Sequence, residues 1–370
     1  MLKSGLQVDI DLYKKECKMY NKLLQESKCK YYRNEFSACN DKQLFRMVNK
    51  LCSVNSSPIL PTHKSSKDLG NLFGKFFHEK VEKIMTKLNS IITPPITVSI
   101  IPSCKSSLTV FDPVTDDAVR EVIMESATKS CRLDPIPTWM LKESLDVLLP
   151  VISKLINKSL SAGIVPSSFK MAHVTPLLKK PNLDPENLQN YRPIANLPFI
   201  FKVLERVVAT QIKDYLNKNN LFSTKQSAYR RFHSTETALL RVSNDLLLSL
   251  DKGDEVVLIL LDYSAAFDTI NHDTLFSRLK NDYGIGGSVL KWCISYLEHR
   301  KQAVVIDNTI SDPIALLYGT PQGSVKGPLD FILYTGPLSN IVNSHSGINH
   351  MIYADDTQLY LVMKSINSPL

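Results

Sequence analysis

Met351-Ile352-Tyr353-Ala354-Asp355-Asp356 brings two adjacent carboxylates to the end of a short apolar run. Neighbouring like charges disfavour each other's ionisation, so such a pair is either well solvated or held by a cation. Leu359, Leu361 and Val362 follow. The two flanks suit a pair of short strands, with Asp355 and Asp356 projecting from the turn between them. Hard divalent cations take carboxylate oxygens and would offset the repulsion. Standing alone, an Asp-Asp pair is more often a solvated turn, so the rest of the chain has to decide.

Upstream, Glu255 to Leu261 (EVVLILL) is too short for a good helix and rich in branched residues, and it reads as a buried strand. It ends at Asp262, and the turn continues Tyr263-Ser264-Ala265-Ala266-Phe267-Asp268. A carboxylate where a buried strand emerges is costly unless it is solvated, paired or bound to metal. Asp262 is therefore a candidate third ligand beside Asp355 and Asp356, the alternative being an N-cap for the next helix. Between them lies Gly319-Thr320-Pro321-Gln322-Gly323-Ser324, either a simple turn or a small-residue loop that lets a ligand approach the backbone. Earlier still, Lys179-Lys180 and Asn190-Tyr191-Arg192-Pro193-Ile194 fall in a basic stretch. From Lys170 to Phe232 there are eleven Lys or Arg against four Asp or Glu. Such cations on one hairpin either clamp a triphosphate, Arg in bidentate fashion, or simply solvate a surface.

Taken in order, the basic hairpin, LDYSAAFD, PQGS and YADD resemble the reverse transcriptase domain of non-LTR (LINE-like) retrotransposons, and within them the Jockey-like group. The resemblance runs from about Lys129 to Val362 and includes Leu133-Asp134-Pro135-Ile136-Pro137 and Gly163-Ile164-Val165-Pro166. It implies an α+β right-hand polymerase fold: fingers, a palm with an antiparallel sheet, a helical N-terminal extension and a missing thumb. It implies an RNA-directed DNA polymerase that adds deoxynucleoside triphosphates to a DNA primer on an RNA template. Asp262, Asp355 and Asp356 would be catalytic and would hold two Mg²⁺ ions, with Mn²⁺ as the substitute. Lys179, Lys180, Arg192, Phe267, Gln322 and Gly323 would bind the nucleotide, Phe267 beneath its sugar. Gln226, Tyr229 and Arg230, ahead of His233-Ser234-Thr235, would contact the template. A second reading, from a different class, is a catalytically inactive nucleic-acid-binding remnant; a third is a basic scaffold protein.

The sequence also departs from the family's pattern. Ala228 and Phe232 replace glycines, Lys326 and Asp330 replace apolar residues, and Thr335-Gly336-Pro337 replaces Ile-Asn-Asp. Pro328 would open a helix there with Asp330 in its first turn, and Pro337 would end it. Only fourteen residues follow Asp356, and no endonuclease precedes the domain, so the chain reads as a fragment of a longer element.

Composition agrees with a globular protein: 370 residues, 44% hydrophobic, 22% charged, net charge +8. Seven scattered cysteines without a CxxC pair argue against a disulfide framework and for an intracellular setting, and the resemblance admits the nucleus. There is no signal segment and no run approaching the ~18 apolar residues of a membrane helix. Three regions are expected: a helical basic connector over 1–107, a fingers-like region over 108–254 and a palm over 255–370. Within them helices are expected at Asp41 to Cys52, at Leu69 to Leu88, after a Thr115 cap, at Pro137 to Ser161 with a break or kink at Pro150, at Phe199 to Leu216 and at Thr235 to Leu250. Strands are expected at Met171 to Leu178, confined to an edge by Pro176, at Gln302 to Ile306 and at Ile314 to Tyr318.

Overall fold

The computed structural model describes residues 7–38, 59–91 and 106–364. Its contacts divide it into two compact units, 1–60 and 61–370. In the first, a proline-free charged stretch forms one long helix, α1 (Gln7–Ala38), with Tyr13, Tyr20 and Tyr31 exposed. The helix expected from Asp41 to Cys52 lies outside the described residues.

The second unit opens with α2 (Ser66–Ser90), capped by Ser65, whose hydroxyl accepts from the Asp68 N–H. Helix α3 (Asp116–Glu125) is capped by Thr115 as expected, with Asp116 and Asp117 at the positive end of its dipole. The next helical region splits into α4 (Thr138–Glu143) and α5 (Leu145–Ala162). The break falls at Ser144, and Pro150, the site expected to break or kink the helix, lies inside α5. Gly163 ends α5 in the left-handed conformation, at φ 65°.

Two strands follow, β1 (Met171–Leu178) and β2 (Tyr191–Asn196), paired antiparallel. Lys179 donates its N–H to the Asn190 carbonyl at 2.8 Å, which sets the alternation of rungs. Pro176 faces Pro193 at a rung whose amides point away from the partner, so neither proline removes a bond of this ladder. The expectation of an edge strand is corrected: β1 lies between β2 and β4 (Lys301–Ile306), and its parallel pairing with β4 stops at Val174, before Pro176.

Helices α6 (Phe199–Lys218) and α7 (Thr235–Asp251) precede β3 (Glu255–Leu261). After α8 (His272–Asn281) and α9 (Gly287–Leu297) the chain enters β4, then the short β5 (Thr309–Ile310) and β6 (Ile314–Ala315), both paired with β4. Helix α10 (Gly327–Thr335) carries Pro328 in its first turn and stops before Pro337, which opens α11 (Pro337–Asn343). The last elements are β7 (Ile348–Tyr353) and β8 (Asp356–Met363). The architecture is α+β, with one mixed sheet, β2-β1-β4-β5 plus β6, and one antiparallel sheet, β3-β8-β7.

The main core is helical. Leu204, Val208 and Ile212 of α6 meet Ile156 and Leu160 of α5, Val119 and Ile123 of α3, and Trp292 and Tyr296 of α9. Trp292 stacks on Tyr296 at 5.4 Å, and its indole N–H donates to the Ser159 hydroxyl at 3.0 Å.

Strand β3 is not buried. It forms the edge of its sheet, and Val257 to Leu261 are each more than 40% exposed. Leu239, Leu240, Leu247, Leu248 and Leu250 of the adjoining α7 are exposed with it. The apolar run says that β3 is built to be covered, and among the described residues nothing covers it.

Candidate active site

Strands β7 and β8 join through a two-residue turn, Ala354-Asp355, with Tyr353 opposite Asp356. Ala354 takes φ 56°, a conformation that L residues adopt only under constraint. The constraint is visible. The Gln226 amide oxygen accepts from the Ala354 N–H at 3.1 Å, and its nitrogen donates to the Ala354 carbonyl at 3.4 Å. Backbone bonds on either side, from the Ser227 N–H to the Ile352 carbonyl and from the Ile352 N–H to the Lys225 carbonyl, hold the segment and the hairpin together at 2.9 Å each.

Asp262 reaches the same place through sheet register. Leu261 pairs with Thr357 at the end of the β3–β8 ladder, so the next step along both strands sets Asp262 across from Asp356. The three expected carboxylates therefore share one end of one sheet. They also line a single cleft of about 850 Å³, together with Lys179, Arg192, Tyr229, Phe267, Gln322 and Gly323.

The loop carrying Gln322 is fixed at several points. Its backbone carbonyl accepts from the Ala195 N–H of β2 at 2.7 Å. Gly323, at φ 105°, passes so close to β2 that a Cβ there would sit 2.8 Å from the Ala195 oxygen. The Gln322 side chain donates to both carboxylate oxygens of Asp268, at 3.0 and 2.9 Å. Burial pushes the Asp268 carboxyl up to about 6, against the opposing effects of Gln322 and the Lys80 charge. Beyond the loop, Glu205 of α6 is fully buried, accepts from the Val325 N–H at 3.1 Å and from the Tyr296 hydroxyl at 2.7 Å, and has its pKa raised by that burial. Phe267 packs on Phe331 of α10 with ring centres 4.8 Å apart.

Lys179 and Arg192 reach the same cleft from the β1–β2 hairpin. The Lys179 ammonium donates to the Gln189 carbonyl at 2.8 Å, and its pKa is lowered by burial and by the charges of Lys80 and Arg192. Tyr229, at φ 59°, lines the cleft, and burial and then the Asp355 charge raise its phenol pKa.

Three expected residues stand elsewhere. Lys180 is exposed and does not line the cleft. Gln226, expected to contact a template, is 5% exposed and its amide is bonded to Ala354, where it braces the hairpin. Arg230 donates to the carbonyls of Ser223 and Gln226 at 2.9 and 3.1 Å and lies over the Phe222 ring, which ties down its own loop. Lys80 and Asp268 belong to the cleft and were not expected there; the Phe73, Phe77, Lys80 spacing along one helix face was the only signal for the first.

The substitutions at Lys326 and Asp330 explain each other. Lys326 at the N-cap of α10 and Asp330 in its first turn form an ion pair that is almost wholly buried, with the Lys326 ammonium also 5.1 Å from the centre of the Tyr296 ring.

Among the described residues, none of the ion pairs involves Asp262, Asp355 or Asp356. No three Asp, Glu, His or Cys side chains of these residues gather closely enough to enclose an ion. Three uncompensated carboxylates facing one cleft nevertheless form a donor set suited to a hard divalent cation.

The profile of the family described as reverse transcriptase (RNA-dependent DNA polymerase) matches residues 178–367, just over half of the chain. A probable RNA-directed DNA polymerase from transposon BS of Drosophila melanogaster is 28% identical over 271 residues, covering 72% of this chain and 28% of that protein. The RNA-directed DNA polymerase from mobile element jockey of Drosophila funebris is 28% identical over 251 residues, covering 66% and 27%. The chain thus spans little more than a quarter of these relatives' length. A solved telomerase from Candida tropicalis aligns with TM-score 0.40 and 15% identity over 54% of this chain and 45% of that one, a likeness too loose to bear on the fold. With a family match over most of the second unit's cleft, the chain belongs to the reverse transcriptase family.

Proposed function

We propose that this chain is the catalytic portion of an RNA-directed DNA polymerase of the non-LTR retrotransposon type, with the β1–β2 hairpin as fingers and the β3-β8-β7 sheet as palm. The observation that carries this reading is convergence. Residues from four separated stretches, Lys179 with Arg192, Asp262 with Phe267, Gln322 with Gly323, and Asp355 with Asp356, line one cleft.

In this reading Asp262, Asp355 and Asp356 would hold two Mg²⁺ ions, which would supply activation of the primer 3′-hydroxyl and charge stabilisation of the leaving pyrophosphate. The chain's own residues position groups and balance charge. Arg192 grips the triphosphate in bidentate fashion and Lys179 adds a point charge. Gln322, its amide nitrogen committed to Asp268, presents its oxygen to the nucleotide. Phe267, backed by Phe331, stands beneath the sugar and obstructs a 2′-hydroxyl.

Primer extension on an RNA template with Mg²⁺ tests the proposal. Extension by the wild-type chain that is lost in Asp355→Ala supports it. Salt-sensitive RNA binding with no extension supports a nucleic-acid-binding remnant instead.

A further inference from the structure

The cleft has a wall that lies outside the family match. Helix α2 packs through Leu69, Phe73 and Phe77, with Lys80 about one turn further on. Phe73, Phe77 and Lys80 recur at helical spacing along one side. Phe73 is fully buried, its ring edge-on to Tyr191 at 4.9 Å, immediately beside Arg192. Gly74 permits the close approach: a Cβ there would lie 2.9 Å from the Ile314 side chain of β6. Asn71 completes the docking, donating to the Asp312 carboxylate at 2.9 Å and accepting from the Asp312 N–H at 2.8 Å.

This docking puts Lys80 on the cleft with Lys179 and Arg192, three cations from two segments, α2 and the β1–β2 hairpin. No ion pair among the described residues involves Lys80. The electrostatic consequence is felt across the gap, since both Lys80 and Arg192 depress the Lys179 ammonium. Three positive charges on one cleft repel one another unless an anion shares the site. Asp268 is the nearby carboxylate on which Lys80 acts, and burial works against its ionisation. A polyphosphate satisfies all three cations.

We infer that Lys80 is a third ligand for the triphosphate of the incoming nucleotide, supplied by the N-terminal helix α2. The inference rests on the polymerase reading for the identity of the ligand, but not for its chemistry. Arg192 offers a planar fork to one phosphate, whereas Lys80 and Lys179 act as point charges.

The test uses the full chain with Lys80→Ala and Lys80→Arg. Two quantities are measured: nucleotide KM and kcat in primer extension, and equilibrium binding of inorganic tripolyphosphate with Mg²⁺. Lys80→Ala is expected to raise KM about tenfold with kcat within about twofold, and to weaken tripolyphosphate by the same factor. Lys80→Arg is expected to restore both to within about threefold, and the urea midpoint to stay unchanged in both variants. Unchanged KM and unchanged tripolyphosphate affinity in Lys80→Ala would overturn the inference. If the wild-type chain extends no primer, the polymerase reading fails and tripolyphosphate decides alone. Lys80-dependent affinity then upholds the anion site, and equal affinities remove it.

Discussion

Gln226 holds both polar groups of the Ala354 residue, accepting from its N–H at 3.1 Å and donating to its carbonyl at 3.4 Å. The same amide oxygen accepts from the Ala228 N–H at 2.9 Å. A side chain remote in sequence thus keeps the turn of Asp355 in a conformation that alanine does not choose by itself. Gln226→Leu has the bulk but not the bonds, and leaves buried amides unpaired. The expected loss is roughly 1–3 kcal/mol of unfolding free energy by urea titration. An unchanged midpoint would show that the brace contributes nothing.

Phe232 stands at φ 63° with its side chain 86% exposed, so its ring contributes little packing while its backbone carries left-handed strain. Glycine relieves that strain. Phe232→Gly is expected to raise stability by roughly 0.5–1 kcal/mol, because the strain relieved exceeds the extra entropy that Gly loses on folding. Loss of stability would mean that the Arg231 contact over the ring, at 4.7 Å, outweighs the backbone.

The buried pair Lys326–Asp330 predicts a double-mutant cycle. Lys326→Met or Asp330→Leu alone leaves an uncompensated buried charge and should cost roughly 3–5 kcal/mol. Both together should come within about 1 kcal/mol of the wild type or exceed it. Additive losses would contradict the pairing.

Asp268 and His350 impose opposite pH dependences over one interval. Burial raises Asp268 to about 6 and, with the charges of Lys225 and Arg241, lowers His350 to about 4. Between pH ~4 and ~6 the folded state binds more protons than the unfolded at Asp268, so stability falls as pH rises. Over pH ~4 to ~6.5 the unfolded state binds more at His350, so stability rises with pH. In the wild type the two slopes oppose each other. Asp268→Asn should expose the rising slope and His350→Gln the falling one, in urea midpoints measured from pH 4 to 7. Parallel profiles in both variants would refute the assignment.

The uncovered face of β3 and α7 predicts strong binding of an apolar dye and poor solubility. Leu260→Lys, at a position 68% exposed, should reduce dye binding and aggregation without lowering the unfolding midpoint by more than about 0.5 kcal/mol. A large loss of stability would mean that Leu260 packs in solution.

The cleft was legible where chemistry is dense in sequence. Asp262 at a strand end and Asp355 in a hairpin turn follow from two apolar runs and their breaks, and the β3–β8 register then brings them together. What sequence could not show is which polar groups turn inward. Gln226 looks like any loop glutamine until its partner, 128 residues away, is known. Lys326 and Asp330 carried a signal in their one-turn spacing, but it does not say that the face is buried. For β3 the composition misled in the other direction, because an apolar strand reports what it is made to pack against, not whether that layer is present.

Docking of α2 also has a kinetic side. The bond from Asn71 to Asp312 closes a separation of 241 residues. Contacts that distant form late, after local helices and hairpins have shortened the effective loop. The receiving surface, β4 with β6, must exist before Gly74 and Phe77 can settle on it. Refolding should therefore restore the Trp292 environment first and polyphosphate binding in a slower phase, so that a cell holding the half-folded chain would meet a finished core with its cationic wall still open.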